Sequence, residues 1–345
     1  MATYDGIFDA LGLRDWCDAG GQGGGAAMSM ADLLNRGGDE ATLWQTPFPS
    51  LDTLNKACAA MPRTRDLTKG VEEGFLAIKD TLKVVLDPLT QPLSHFLEFA
   101  LWGFQAAPWF VTLPVLFLVA YIASKSLKLV GFVAIALGFL AFIDHYDYAM
   151  QTLAIIFVCA LLCVLLGLPI GIAMSRSDRL QKSAIPILDM LQTLPPFVYL
   201  IPLIFLFSVT EPKLYGIAII LYAIVPVIRL TDLGIRLVDP EVIEAADAFG
   251  MTDRQKLWGV QVPLALPNIM AGVNQTIMMS LAMVVIASLV SAPGLGVLVL
   301  RGIRNLELGV GLIAGLGIVL LAVILDRVTK AALARVNAST SVQRN

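Results

Sequence analysis

Residues 257–300 read LWGVQVPLALPNIMAGVNQTIMMSLAMVVIASLVSAPGLGVLVL, and not one of them is charged. A bilayer core needs roughly 20 apolar residues per helix, so this run is too long for one crossing. Its body, about 265–291, reads as a transmembrane helix; its tail, from Ala292, reads as a re-entrant or surface helix. Working outward, further apolar runs fall at about 108–124, 127–143, 149–174, 186–208, 214–230 and 308–326. The expectation is an all-α polytopic membrane protein of about seven transmembrane helices. Composition agrees, since 57% of the 345 residues are hydrophobic and 15% are charged. A soluble domain carries about 25% charged residues, and a disordered chain is poorer in apolar ones.

The charges also divide the chain. Residues 1–107 hold 8 Lys/Arg and 14 Asp/Glu, against 16 and 13 in the remainder. The first 107 residues are therefore read as an extracytoplasmic tail, flexible to about 65 and then built of amphipathic helices. Its Gly20–Gly25 stretch, GGQGGG, is low in complexity and lacks the Lys-Ser/Thr of a phosphate loop. Leu67, Val71, Phe75, Ile78, Leu82 and Val85 recur every three or four residues, which predicts an amphipathic helix ending near Asp87-Pro88. A second stripe follows in Leu93, Phe96, Leu97, Ala100, Leu101 and Phe104. Asp5, Asp9 and Asp15 stand where a signal peptide needs a basic and then an apolar segment, so none is expected.

Cys17 and Cys58 lie far apart, and Cys159 and Cys163 fall four apart in an apolar run, so all four read as small hydrophobes. With two histidines, His95 and His145, and no ligand spacing, no metal site is expected. A net charge of −3 points away from nucleic acid. Basic residues set the orientation. One set of alternate loops plus the C-terminus holds thirteen, among them Lys125, Lys128, Arg176, Arg236, Arg327 and Lys330; the other set holds Lys213, Arg301 and Arg304. The richer side faces the cytoplasm, and seven crossings put the N-terminus outside.

On that cytoplasmic side lies the longest connection, residues 231–264, TDLGIRLVDPEVIEAADAFGMTDRQKLWGVQVPL. Asp239-Pro240-Glu241 is a helix start, with Pro in the first turn beside an acid. Gly250 breaks that helix, Met251-Thr252-Asp253 begins a second, and Pro263 and Pro267 lead back into the membrane. The result is a helix-corner-helix knob that a soluble partner can grip.

Glu244-Ala245-Ala246, three residues, Gly250, nine residues, then Val260-Gln261-Val262-Pro263 resembles the EAA loop of ABC importer permeases. Residues 175–207, 264–290 and 294–309 are similar to the glycine betaine/proline permeases of the binding-protein-dependent transport family, and the likeness runs from about residue 66 onward. It implies a type I ABC importer permease core over 146–330, two accessory transmembrane helices over 108–145, and a cytoplasmic tail from 331. Glu244, Ala245, Ala246, Gly250 and Pro263 would couple it to a cytoplasmic ATP-binding subunit. The implied partners are two copies of that subunit, an extracytoplasmic substrate-binding protein, a second copy of this chain and the lipid bilayer. No cofactor would be bound by this chain; ATP and Mg would be used by the ATPase, leaving this subunit non-catalytic in the bacterial inner membrane.

Pore-lining candidates come from broken backbone and intramembrane polar groups: Pro195, Pro196, Asn274, Gln275 and Met278. Interhelical packing competes as the role of Asn274 and Gln275. The Gly311–Gly315 spacing reads as helix packing, and Asp189 as the partner of a loop cation. An ion-coupled secondary carrier of small zwitterions is the alternative class, although it needs a buried titratable group. Choline, carnitine or another amine is the alternative cargo.

Overall fold

A computed structural model describes residues 4, 8, 10–19 and 48–342. The chain divides into two units, Met1–Leu82 and Lys83–Asn345.

In the first unit, α1 (Arg14–Ala19) and α2 (Leu51–Ala57) are joined by a disulfide between Cys17 and Cys58. This corrects the reading of these two cysteines as free hydrophobes. Spacing in sequence carries no information on which of two segments 41 residues apart meet. Phe8 and both cysteines form a small core with Leu54 and Met61 packed against it. The side chain of Ser50 caps α2, and the Thr64 N–H donates to Asp52 at 2.9 Å, starting the next helix. The Gly20–Gly25 stretch lies outside the described residues.

That next helix, α3 (Thr64–Ala106), does not end at Asp87-Pro88 but runs through both Pro88 and Pro92. A proline removes one N–H, and here the packing of the residues beyond it carries the helix on. The Thr90 hydroxyl donates to the Leu86 carbonyl at 2.8 Å in the same turns. Up to Leu82 its apolar stripe stays exposed, with Leu67, Val71 and Ile78 all more than half accessible. In the second unit the stripe is used: Leu97 is fully buried, and Leu93 and Leu97 close on Gly216.

The second unit continues through α4 (Trp109–Ser124), α5 (Leu127–Phe142) and α6 (Tyr146–Ser175). A bend of 103° separates α7 (Asp178–Thr193) from the segment containing a 3-10 turn (Pro196–Tyr199) and α8 (Leu200–Leu206). Then come α9 (Pro212–Ala223), α10 (Val225–Arg236), α11 (Pro240–Ala248) and α12 (Asp253–Lys256). A π turn (Leu257–Gln261) joins α12 to α13 (Val262–Ala287); α14 (Leu295–Arg304) and α15 (Leu308–Val342) complete the chain. Among the described residues every regular element is helical.

Among the described residues, four helical segments are long and apolar enough to cross a bilayer: Tyr146–Ser175, Pro212–Arg236, Asp253–Val290 and Leu308–Arg335. The number is six if each of two bent pairs counts as one span: α3 with α4, and α7 with the turn and α8. The seventh expected crossing is α5, whose 16 residues extend about 24 Å at 1.5 Å each, short of a full bilayer core. The segment after Ala292, read as a re-entrant or surface helix because the apolar run is too long for one crossing, is a separate amphipathic helix, α14.

Helix α10 packs along both α6 and α13. At Gly171 on α6, a Cβ would lie 2.7 Å from the Ile228 carbonyl oxygen of α10, so only glycine lets the two backbones approach this far. A second cluster joins α4, α5, α6 and α15 through Val133, Leu137, Leu140, Met150 and Leu321. Gly311 meets Gly302 of α14, whereas Gly315 faces open space within this chain. Small-residue spacing alone could not separate the two.

Candidate coupling site

The 231–264 connection is built from four local devices. The Asp239 carboxylate accepts the Glu241 N–H at 3.0 Å, and Pro240 occupies the first turn, so α11 starts sharply. At its other end Gly250 has φ +73°, its N–H donating to the Asp247 carbonyl (2.9 Å) while that of Met251 donates to Ala246 (3.1 Å). These two bonds are a Schellman cap, in which the left-handed residue satisfies the carbonyls a helix end leaves open. Thr252 and Gln255 then form a reciprocal capping box: the Thr252 N–H donates to Gln255 Oε1 at 2.9 Å, and Thr252 Oγ1 accepts the Gln255 N–H at 3.4 Å. Finally the Lys256 ammonium lies 2.6 Å from Asp247 and 3.5 Å from Asp253.

The carried-over residues separate by face. Ala246 is 4% exposed, whereas Glu244 and Ala245 are exposed on the outer side of α11. Gly250 forms the corner. Pro263 is the second residue of α13, directly after the π turn that joins it to α12. The second helix runs on without a stop. It passes through the π turn into α13, because Leu257 sinks into a cluster with Ile235, Ala265 and Ile269 and anchors the join. Phe249 is 84% exposed, with Met251 and Trp258 also open, beside Glu241, Glu244 and Asp253. An apolar tip with an acidic rim suits a partner groove lined by apolar and basic side chains.

The knob stands on a polar base missed in the sequence. Asp232, 5% exposed on α10, accepts from Arg236 (2.9 Å) and from Gln181 (2.7 Å); Arg236 also pairs with Asp178 (2.7 Å) and donates to the Met174 carbonyl (2.9 Å). Arg176, in the α6–α7 turn, approaches Asp253 at 3.8 Å. The i, i+4 spacing of Asp232 and Arg236 was the one local signal of this network. Asp189 pairs with Arg229 of α10, from the basic set counted as cytoplasmic.

The pore candidates do not converge. Pro195 and Pro196 form the bend before the 3-10 turn, which Tyr199 closes by donating to the Leu191 carbonyl. Gln192, just before it, touches Met279 Sδ at 3.9 Å, so the bend and the Met278–Met279 face of α13 lie together. Gln275 is exposed, and Met278 is half-buried. Asn274 turns toward α15, donating to Asp326 at 3.3 Å and accepting from Thr329. At the opposite end of the unit, Lys213 is buried to 3% exposure and pairs with Asp87 (2.7 Å) and Glu211 (2.8 Å), 5.1 Å above the Phe207 ring.

The architecture is that of a polytopic helical membrane protein carrying a capped helix-corner-helix projection. The chain belongs to the family described as binding-protein-dependent transport system inner membrane component, whose profile matches residues 163–338. It is 40% identical over 299 residues to the glycine betaine/proline betaine transport system permease protein ProW of Escherichia coli (strain K12), covering 86% of this chain and 83% of that one. It is 39% identical to the glycine betaine transport system permease protein OpuAB of Bacillus subtilis (strain 168), covering 71% and 86%. It is 38% identical to the glycine betaine/carnitine transport permease protein GbuB of Listeria monocytogenes serotype 1/2a (strain 10403S), covering 70% and 87%. In fold it matches a chain of the inward-facing MetNI methionine ABC transporter, with a TM-score of 0.50 at 19% identity, over 56% of this chain and 95% of that one.

Proposed function

We propose that this chain is the membrane subunit of an ATP-driven importer of glycine betaine, proline or a related quaternary amine osmoprotectant. The observation that carries the proposal is the knob: a capped helix, a left-handed glycine corner and a second helix continuous with the spanning segment Asp253–Val290. The cargo rests on the three relatives, each named as a glycine betaine transport permease. Two cytoplasmic ATPase subunits seat on two knobs, one from each copy of a homodimer, and bind ATP and Mg. The closing ATPases draw the knobs together and tilt the attached helices, opening the pathway toward an external binding protein; hydrolysis resets it. This subunit catalyses no reaction.

Glu244, Ala245 and the apolar tip form the ATPase seat, with Gly250 and Pro263 shaping it. Pro195, Pro196, Gln275 and Met278 line the path, and Asn274 ties α13 to α15 beside it. The N-terminal unit lies outside the inner membrane and the C-terminus inside. The Cys17–Cys58 disulfide supports this, because such bonds persist in oxidising compartments. The secondary-carrier alternative needs a buried titratable group free to exchange an ion, and Asp232 is already held by Arg236 and Gln181.

The test is uptake of radiolabelled glycine betaine into proteoliposomes holding the chain with its ATPase and binding protein. ATP-dependent uptake that vanishes without the ATPase is expected. Uptake driven by a proton or sodium gradient in its absence would overturn the proposal.

A further inference from the structure

Between the α4–α5 turn and α15 lies a cavity of about 830 Å³ that the coupling site does not use. Its rim carries Ser126, Lys128, Arg327 and Lys330, and its wall is made of Leu129, Phe132 and Val323. Asn274, twelve residues into α13, meets Asp326 and Thr329, whereas Gly311 meets Gly302 at the other end of α15. The C-terminal part of α15 therefore ends on the same face as the coupling knob, the face richest in basic residues. Asp326 also borders the cavity, but it is committed, accepting from Lys330 at 2.8 Å and from Asn274 at 3.3 Å. Lys128 and Arg327 are exposed, and neither pairs with a carboxylate among the described residues. Arg335, one further turn along α15, donates to the Ile122 and Ala123 carbonyls and holds the end of α4 against this helix.

We infer that this cavity is a binding site for an anionic phospholipid of the cytoplasmic leaflet. A phosphate diester asks for two or more cations and a hydroxyl donor, which Lys128, Arg327 and Ser126 supply. Basic pockets between transmembrane helices on the cytoplasmic side recognise such headgroups. Free inorganic phosphate shares the headgroup chemistry, but it has no use for the apolar wall. A lipid places its glycerol and first acyl carbons against Leu129, Phe132 and Val323. One bound molecule would then bridge the accessory pair α4–α5 to α15, joining elements that meet here across a void.

The experiment is equilibrium binding of a fluorescent-tailed phosphatidylglycerol to the full-length chain in detergent, competed by unlabelled lipids and by inorganic phosphate. Phosphatidylglycerol should compete at least ~10-fold better than phosphatidylcholine of the same acyl chains, since the two differ only in the headgroup, anionic in the first and zwitterionic in the second. The K128Q/R327Q pair should weaken binding on the order of 25-fold, about 5-fold per cation lost. R179Q/K182Q, on exposed basic residues of α7, should not change it. Equal competition by the two lipids would overturn the assignment without recourse to any variant. So would unchanged affinity in K128Q/R327Q, or displacement by millimolar inorganic phosphate as effective as by the lipid.

Discussion

Lys256 reaches back across the glycine corner and sets its ammonium 2.6 Å from the carboxylate of Asp247, nine residues earlier. The contact ties the two helices of the knob together where the backbone turns. An exposed ion pair adds little to global stability, so its value lies in the shape offered to a partner. D247K should therefore lower co-purification of the ATPase while leaving thermal unfolding of the chain unchanged. The swap D247K/K256D should restore co-purification, because the double change rebuilds the pair. Failure of the swap to rescue would mean that Asp247 acts by direct contact instead.

Gly250 adopts φ +73° with nothing within 4 Å of the Cβ it lacks, so the constraint there is conformation and not space. Gly250→Val forces a β-branched residue into the left-handed region, costing on the order of 1–3 kcal/mol locally. Gly250→Asn costs less, since asparagine visits that region readily. Insertion should survive both. ATPase retention on an affinity column should fall sharply for valine and only slightly for asparagine, and equal retention by the two would refute the corner's role.

The neighbouring alanines should separate two kinds of damage. Ala246 is buried within the chain, so Ala246→Leu overpacks the knob by about 1–3 kcal/mol and should lower the unfolding temperature. Ala245 faces outward, so Ala245→Leu should leave unfolding within about 0.5 kcal/mol of the parent yet block ATPase assembly. Differential scanning fluorimetry and co-purification, run on both variants, check the pair of outcomes.

Lys213 holds α3 to α9 by satisfying Asp87 and Glu211 at once. Lys213→Met keeps the bulk and removes the charge, leaving two half-buried carboxylates without their cation. Destabilisation of about 1.5–3 kcal/mol is expected, the range for hydrogen bonds to charged groups. D87N should recover part of it by removing one of the stranded charges. Denaturation in detergent should show this ordering; a Lys213→Met protein as stable as the parent would remove the tether's significance.

What could be read beforehand was what is local. The cap at Asp239, the stop at Gly250 and the restart at Thr252 each depend on residues within a few positions, and all three stand where the pattern placed them. The apolar runs were legible for the same reason. Pairings across distance were not. Cys17 with Cys58, Lys213 with Asp87 and Gln181 with Asp232 each join segments far apart in sequence, whose meeting is decided by packing within their own unit. Pro88 shows the same limit from the other side: its local preference to end a helix lost to the packing of Leu93 and Leu97 on Gly216. The faces of Asn274 and Gln275 also needed the bundle, because neighbours on one helix point about 100° apart.

The absence of any break between Asp253 and Val290 has a mechanical consequence. These 38 residues form a shaft about 57 Å long at 1.5 Å per residue. Pivoted at the π turn, the roughly 29 residues beyond it extend about 44 Å, so a lean of about 5° becomes a sideways sweep of about 4 Å at the far tip. A small displacement at the knob would thereby be magnified at the opposite membrane face, with leverage and no intermediate relay.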